Sequence, residues 1–124
     1  MEQKKLLIAE DSSVIQNVMA KVLKFQNYEI DYAKNGVQVL TKLEGKDFDV
    51  ILMDINMPEM DGMVCAKKIR ALAAPQKSTI PIIAVTGNAQ NYSIEDFKDA
   101  GITDYLPKPI DFDVLINKLN ELWK

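Results

Sequence analysis

The chain contains no histidine, and that absence bounds its chemistry before any motif is read. Imidazole acid–base catalysis and imidazole metal ligation are both excluded. A single cysteine, Cys65, rules out an intramolecular disulfide and any multi-cysteine metal site. It reads as a small buried hydrophobe. No apolar run approaches the ~18–20 residues that a membrane-crossing helix needs. Leu6-Leu7-Ile8-Ala9, behind Lys4-Lys5, is also too short for the apolar core of a signal peptide. No membrane insertion and a cytoplasmic location are therefore expected. Basic residues are scarce as clusters: the formal charge is −3 and no basic run is longer than Lys67-Lys68. Direct binding to nucleic acid is not expected, because a phosphate backbone demands a concentrated basic face. Any chemistry must fall to carboxylates, lysines and hydroxyls.

What is present is a regular alternation. At 124 residues, with 48% of them apolar, the chain is expected to form one domain over residues 1–124. Leu6 to Ala9 reads as a buried strand, and Val14, Ile15, Val18, Met19, Val22 and Leu23 then recur at helical spacing over 13–25. Glu29 to Ala33 alternates as a second, partly exposed strand. Asn35-Gly36 turns into a short helix carrying Val39, Leu40 and Leu43. Phe48 to Met53 is a central strand interrupted only by Asp49. A third helix follows Asp61-Gly62, with Cys65, Ala66, Ile69 and Leu72 inward and Lys67, Lys68 and Arg70 on a solvated face.

Ala74 to Thr79 reads as a polar loop and Pro81 to Val85 as a fourth strand. Ser93, with Asp96 three residues on, forms a capping-box pattern for a fourth helix ending at Gly101. Asp104 to Leu106 is a short fifth strand. Asp111 caps a last helix whose Phe112, Leu115, Ile116, Leu119 and Leu122 face inward. Strands that alternate with helices predict an α/β, three-layer (βα)5 doubly wound parallel sheet.

In such sheets polar groups collect at the carboxyl ends of the strands. Strand 1 ends in Glu10-Asp11, strand 3 in Asp54 and strand 4 in Thr86, while strand 5 leads to Lys108. If the strand order is 2-1-3-4-5, the three carboxylates converge. Like charges that close repel unless a cation sits among them. An all-oxygen donor set selects a hard ion, Mg²⁺ or Mn²⁺. Lys108 does not fit a pure metal site, but an ammonium beside carboxylate and metal suits a phosphoryl group.

Four segments carry a resemblance: Glu10-Asp11-Ser12, Met53-Asp54-Ile55-Asn56-Met57-Pro58-Glu59-Met60-Asp61-Gly62, Val85-Thr86-Gly87 and Tyr105-Leu106-Pro107-Lys108-Pro109-Ile110. In this order and spacing they resemble the signature of response-regulator receiver domains, over essentially the whole chain. The resemblance implies a flavodoxin-like fold with strand order 2-1-3-4-5. It makes Asp54 the phosphoacceptor and Asp11 a direct Mg²⁺ ligand, with Glu10 acting mainly through water. The backbone carbonyl of Asn56 becomes a further ligand, and Lys108 binds the phosphoryl oxygens. Thr86 becomes the switch hydroxyl and Tyr105 a switch aromatic that starts from an outward position. Lys108-Pro109 is implied to be a cis peptide.

The implied partners are a sensor histidine kinase or histidine phosphotransfer protein and a downstream target that reads the face of helix 4, strand 5 and helix 5. Helix 4 is the expected bistable element. The implied role is a phosphoacceptor signalling domain, not a conventional enzyme, with intrinsic Mg²⁺-dependent self-phosphorylation and self-dephosphorylation, as a monomer or weak dimer. Met1 and the close of the chain at Trp123-Lys124, directly after the last helix, point to a stand-alone receiver rather than one cut from a hybrid kinase or longer regulator. Gly87, where relatives often carry alanine, and Asn88, where many carry a longer side chain, bear on loop flexibility and dephosphorylation rate. Rivals on the same fold fit less well. A flavodoxin-type electron carrier needs a neutral phosphate loop where Glu10-Asp11 stands. A haloacid-dehalogenase-type phosphatase needs an Asp-x-Asp after strand 1. A pseudo-receiver lacks the acceptor or acidic pair that this chain keeps.

Overall fold

A computed structural model describes residues 3–87 and 92–124. Five strands, β1 (Lys5–Ala9), β2 (Glu29–Ala33), β3 (Val50–Asp54), β4 (Ile82–Thr86) and β5 (Asp104–Pro107), alternate with five helices. These are α1 (Ser13–Phe25), α2 (Gly36–Gly45), α3 (Gly62–Arg70), α4 (Ile94–Ala100) and α5 (Phe112–Leu122). All strand pairs are parallel and the sheet order is β2-β1-β3-β4-β5. The order expected from the resemblance is the one found.

Side chains alternate across a strand, so each strand feeds two cores. Leu7, Ile51, Met53, Ile82 and Ala84 point to the side covered by α2, α3 and α4, where Val39, Leu43, Ile69 and Phe97 meet them. Leu6, Ile8, Val50, Leu52 and Ile83 point the other way, toward Met19 and Leu23 of α1 and Leu115 and Leu119 of α5. With both faces covered, β1, β3 and β4 need apolar residues at nearly every position, as parallel strands do.

The helix starts follow local chemistry. Ser12, Asn35, Asp61, Ser93 and Asp111 each accept a backbone N–H of the first turn with a side-chain oxygen, and Ser93 with Asp96 closes a full capping box. Gly101 ends α4 at φ 85°, a left-handed position that suits glycine.

Several expectations change. β3 begins at Val50 rather than Phe48, because the Asp49 carboxylate turns aside to accept the Lys5 N–H at 2.7 Å. The polar loop 74–79 contains a helical turn, Pro75–Ser78, with proline at its start and the Thr79 hydroxyl donating to the Pro75 carbonyl. The apolar stripe of α1 is wider than the face it buries: Val14 and Val18 are 73% and 46% exposed, while Gln16 is buried in their stead. Ile116 is only half-buried, on the flank of α5 beside the fully buried Leu115 and Leu119. Arg70 does not share the solvated face of Lys67 and Lys68. It is half-buried, its Nε donating to the Gly101 carbonyl at 2.8 Å and Nη1 to the Ser78 carbonyl at 2.9 Å. Cys65 is fully buried, and burial pushes its thiol up to about 12. It is inert packing.

Candidate phosphoacceptor and metal site

Register puts the polar residues at one sheet edge. Ala9 pairs with Met53, Asp54 with Val85 and Thr86 with Pro107, so Glu10, Asp54, Thr86 and Lys108 all emerge at the carboxyl ends of adjacent strands. The Lys108 N–H donates to the Thr86 carbonyl at 2.9 Å, which extends the β4–β5 pairing by one residue and sets the lysine over the site. The Lys108–Pro109 peptide is cis, as expected.

Carboxylate oxygens of Glu10, Asp11 and Asp54 all lie within 4.8 Å of one another. Glu10 and Asp54 are 2% and 3% exposed, whereas Asp11 is open to solvent. Lys108 Nζ sits 3.1 Å from Asp54 Oδ2 and 3.6 Å from Glu10 Oε2. Asp54 Oδ1 accepts the Asn56 N–H at 3.1 Å, and Glu10 Oε1 accepts the Ser12 N–H at 3.2 Å.

Crowding leaves a mark on the titration of this cluster. Burial, then the hydrogen bond and charge of Asp54, push the Glu10 carboxyl up to about 7, against the Ser12 N–H and the charge of Lys108. Burial alone pushes the Lys108 ammonium down, but the hydrogen bond and charge of Asp54, and next the charge of Glu10, outweigh it and hold Lys108 above its ordinary value. One lysine does not neutralise three converging carboxylates. Burial and the neighbouring Asp54 therefore let Glu10 keep its proton up to about pH 7. The donors are all oxygen, and Asp11 faces the solvent from which an ion would enter. The set fits a hard divalent ion such as Mg²⁺.

Thr86 is fully buried at the end of β4. Tyr105 departs from the outward position expected of it. It is half-buried against the core, its ring stacked on Phe97 of α4 with centroids 5.0 Å apart and planes 11° from parallel. The Phe97 ring offers an apolar face that an exposed tyrosine would lack. Gly87 is exposed, and Asn88 lies outside the described residues.

Two supports escape sequence reasoning. Gln16 of α1 donates from Nε2 to the Glu10 carbonyl at 2.7 Å and to the Ala33 carbonyl at 3.3 Å, tying the helix to the ends of β1 and β2 beneath the acidic cluster. Its signal was a polar residue on the inward side of an amphipathic helix. Gly62 allows α3 to start against the end of β3: a Cβ there would stand 2.6 Å from the Asp54 carbonyl oxygen. No helix among the described residues is long and apolar enough to cross a membrane.

The arrangement has counterparts among known proteins. Among solved structures, the receiver domain of a sensor histidine kinase of Pseudomonas aeruginosa, with a magnesium ion coordinated in its active-site cleft, is 32% identical with a TM-score of 0.87, covering 98% of each chain. A chemotaxis response regulator of Vibrio cholerae is 30% identical with a TM-score of 0.87, covering 98% of this chain and 99% of that one. The CAI-1 autoinducer sensor kinase/phosphatase CqsS of Vibrio cholerae is 34% identical over 94% of this chain, which corresponds to 17% of that protein. The sensor protein EvgS of Escherichia coli K12 is 35% identical over 98% of this chain, or 10% of its own length. The chain thus spans only a small part of the curated relatives it matches. The model of the response regulator receiver domain matches residues 6–120, and the chain belongs to that family.

Proposed function

We propose that the chain accepts a phosphoryl group on Asp54 from the phosphohistidine of a sensor histidine kinase or histidine phosphotransfer protein, and that this switches a partner-binding face. The observation that carries the reading is the acidic triad of Glu10, Asp11 and Asp54 within 4.8 Å, with the Lys108 ammonium 3.1 Å from Asp54. Asp11 and Asp54 would hold Mg²⁺, together with the Asn56 backbone carbonyl, and Glu10 would act through water. Mn²⁺ serves in the same all-oxygen site. The bound ion supplies positive charge to the phosphoryl oxygens.

The remaining steps belong to the chain. An Asp54 carboxylate oxygen attacks phosphorus, an oxygen–phosphorus bond forms, and the donor's bond to phosphorus breaks with its electron pair leaving on the donor. Lys108 shifts its ammonium from the Asp54 carboxylate to a phosphoryl oxygen. Because positioning and charge neutralisation are the main requirements, the site also supports self-phosphorylation from small donors and self-dephosphorylation by water. The Thr86 hydroxyl then turns to the new phosphoryl oxygens. Tyr105, stacked on Phe97, passes that movement to α4, and the face formed by α4, β5 and α5 is read by a downstream protein. The protein acts in the cytoplasm as a monomer or weak dimer.

The test is direct. Incubation with acetyl phosphate and Mg²⁺ should give one phosphoryl adduct by intact mass, absent from Asp54→Ala, and beryllofluoride should bind only with the metal present. An adduct of equal yield in Asp54→Ala would overturn the assignment of the acceptor.

A further inference from the structure

The segment between β3 and α3, residues 55–61, carries Asn56 past the acidic cluster and contains an energetically costly backbone position. Met60 N–H donates to the Pro58 carbonyl at 2.7 Å, closing a three-residue turn with Glu59 at its centre. Glu59 has φ 66°, in the left-handed region that a residue with a Cβ avoids. Such a conformation persists only where its surroundings over-determine it. The two ends of the segment are pinned to the sheet and α3: Ile55 N–H donates to the Val85 carbonyl at 3.1 Å and Gly62 N–H to the Ile55 carbonyl at 2.9 Å. Neither bond touches the turn.

The turn itself is held from α2. Gly36 N–H, one of the donors that a helix start leaves without an intrahelical partner, donates to the Met60 carbonyl at 3.2 Å. The contact admits no side chain, since a Cβ on Gly36 would lie 2.8 Å from Met60 Cγ and 2.9 Å from the Met60 carbonyl oxygen. Beside it the buried Asn35 works in two directions. Its Oδ1 accepts the Gln38 N–H at 2.8 Å and caps α2, while its Nδ2 reaches Glu59 Oε2 at 3.4 Å. The pair therefore ties the start of a helix on the flank of the sheet to the turn that follows Asn56.

We infer that Asn35 and Gly36 are positioning residues for the metal site, holding the 55–61 segment and its Asn56 backbone in the place that Mg²⁺ binding requires. This rests on the reading of Asn56 as a ligand beside Asp11 and Asp54. Gly36→Ala adds one methyl group where the turn already touches. Gly45→Ala adds the same group near the other end of α2, where nothing lies within 4 Å. Groups that orient metal ligands typically contribute about 10-fold or more to affinity, and Gly36→Ala should weaken Mg²⁺ binding by about that factor while Gly45→Ala leaves it unchanged.

Isothermal titration with Mg²⁺ measures the affinity. Amide NMR of the metal-free proteins provides an independent readout, with Gly36→Ala moving residues 55–62 and Gly45→Ala leaving them in place. Glu59 supplies a second pair of variants on an exposed residue, free of any clash. Glu59→Gln removes the charge but keeps an acceptor for Asn35, and should match the wild type in the shifts of the turn. Glu59→Ala removes both and should move those shifts and weaken Mg²⁺ binding further than Glu59→Gln does. If the wild type itself binds no Mg²⁺, the reading of the metal site is what fails. If the wild type binds it, while Gly36→Ala and Glu59→Ala bind equally well with unmoved shifts at 55–62, the positioning role is wrong.

Discussion

The raised carboxyl of Glu10 gives the metal-free protein a pH dependence with a definite sign. Glu10 ionises at about 7 in the folded chain against 4.5 for the free side chain, because burial and then Asp54 disfavour its charge. The folded state therefore binds the proton more tightly than the unfolded state. The stability Glu10 contributes is fully present below about pH 4.5 and is lost as pH rises through about 7. The shift corresponds to a loss on the order of 3 kcal/mol across that window, an upper bound because the cluster can relax. Glu10→Gln is the matched perturbation. Its amide has the same shape, can still accept the Ser12 N–H and cannot ionise.

In urea unfolding with a chelator present, wild type and Glu10→Gln should have similar stability near pH 4.5. The variant should become the more stable protein by up to ~3 kcal/mol by pH 8. The Trp123 ring provides the signal, since its Nε1 donates to the Tyr28 hydroxyl at 2.8 Å in the second core. Asp31 runs the opposite way. At Asp31, burial pushes the carboxyl up, but the hydrogen bond and charge of Lys42 and the Tyr32 N–H hold it below its ordinary value, so its contribution is lost as pH falls. The difference between the two proteins, rather than either curve, isolates Glu10. Mg²⁺ should expel the same proton, so that binding releases protons at pH 6.5 and none at pH 9. Parallel stability curves from pH 5 to pH 8 would refute the argument that Glu10 carries a proton.

Thr86→Ala should still accept the phosphoryl group but lose the coupled movement, and amide NMR with beryllofluoride should show shifts at 92–106 reduced well below those of the wild type. Ile51→Ala, in the fully buried centre of β3, should cost ~2–5 kcal/mol in denaturant unfolding through the cavity it leaves. Gly101→Ala forces a Cβ into the left-handed cap of α4 and against the Arg70 side chain, and should cost at least ~1 kcal/mol by the same assay.

Most of the fold was legible in the sequence because β1, β3 and β4 are buried on both faces and read as unbroken apolar runs. Their last residues then fix where Glu10, Asp54 and Thr86 must emerge. Capping residues such as Ser93 and Asp111 marked helix starts to within a residue, since the cap is a local hydrogen bond between near neighbours. The α1 stripe misled for a physical reason. Val14 and Val18 share the helical period of Met19 and Leu23, but periodicity does not reveal how much of an apolar face the neighbouring α5 and sheet cover.

What stayed hidden is contact between residues far apart in the chain. Arg70 looked like one more charge on the outer face of α3, and nothing adjacent to it suggests otherwise. It lies 31 residues from Gly101, and only the β3–β4–β5 order brings the end of α4 beside α3. There the guanidinium finds two carbonyls and, among the described residues, no carboxylate, so its role is to anchor the C-terminal end of α4 rather than to pair charge. The same helix has Ile94 58% exposed at its start and Phe97 stacked on Tyr105 midway. Phe97 meets two rings, Tyr92 from just before the helix at 5.6 Å and Tyr105 from β5 at 5.0 Å, so α4 is held in its middle as well as at its last turn. A short helix poor in apolar residues reads as weakly held, whereas the Arg70 anchor and the two rings on Phe97 come from residues that its own sequence does not reveal.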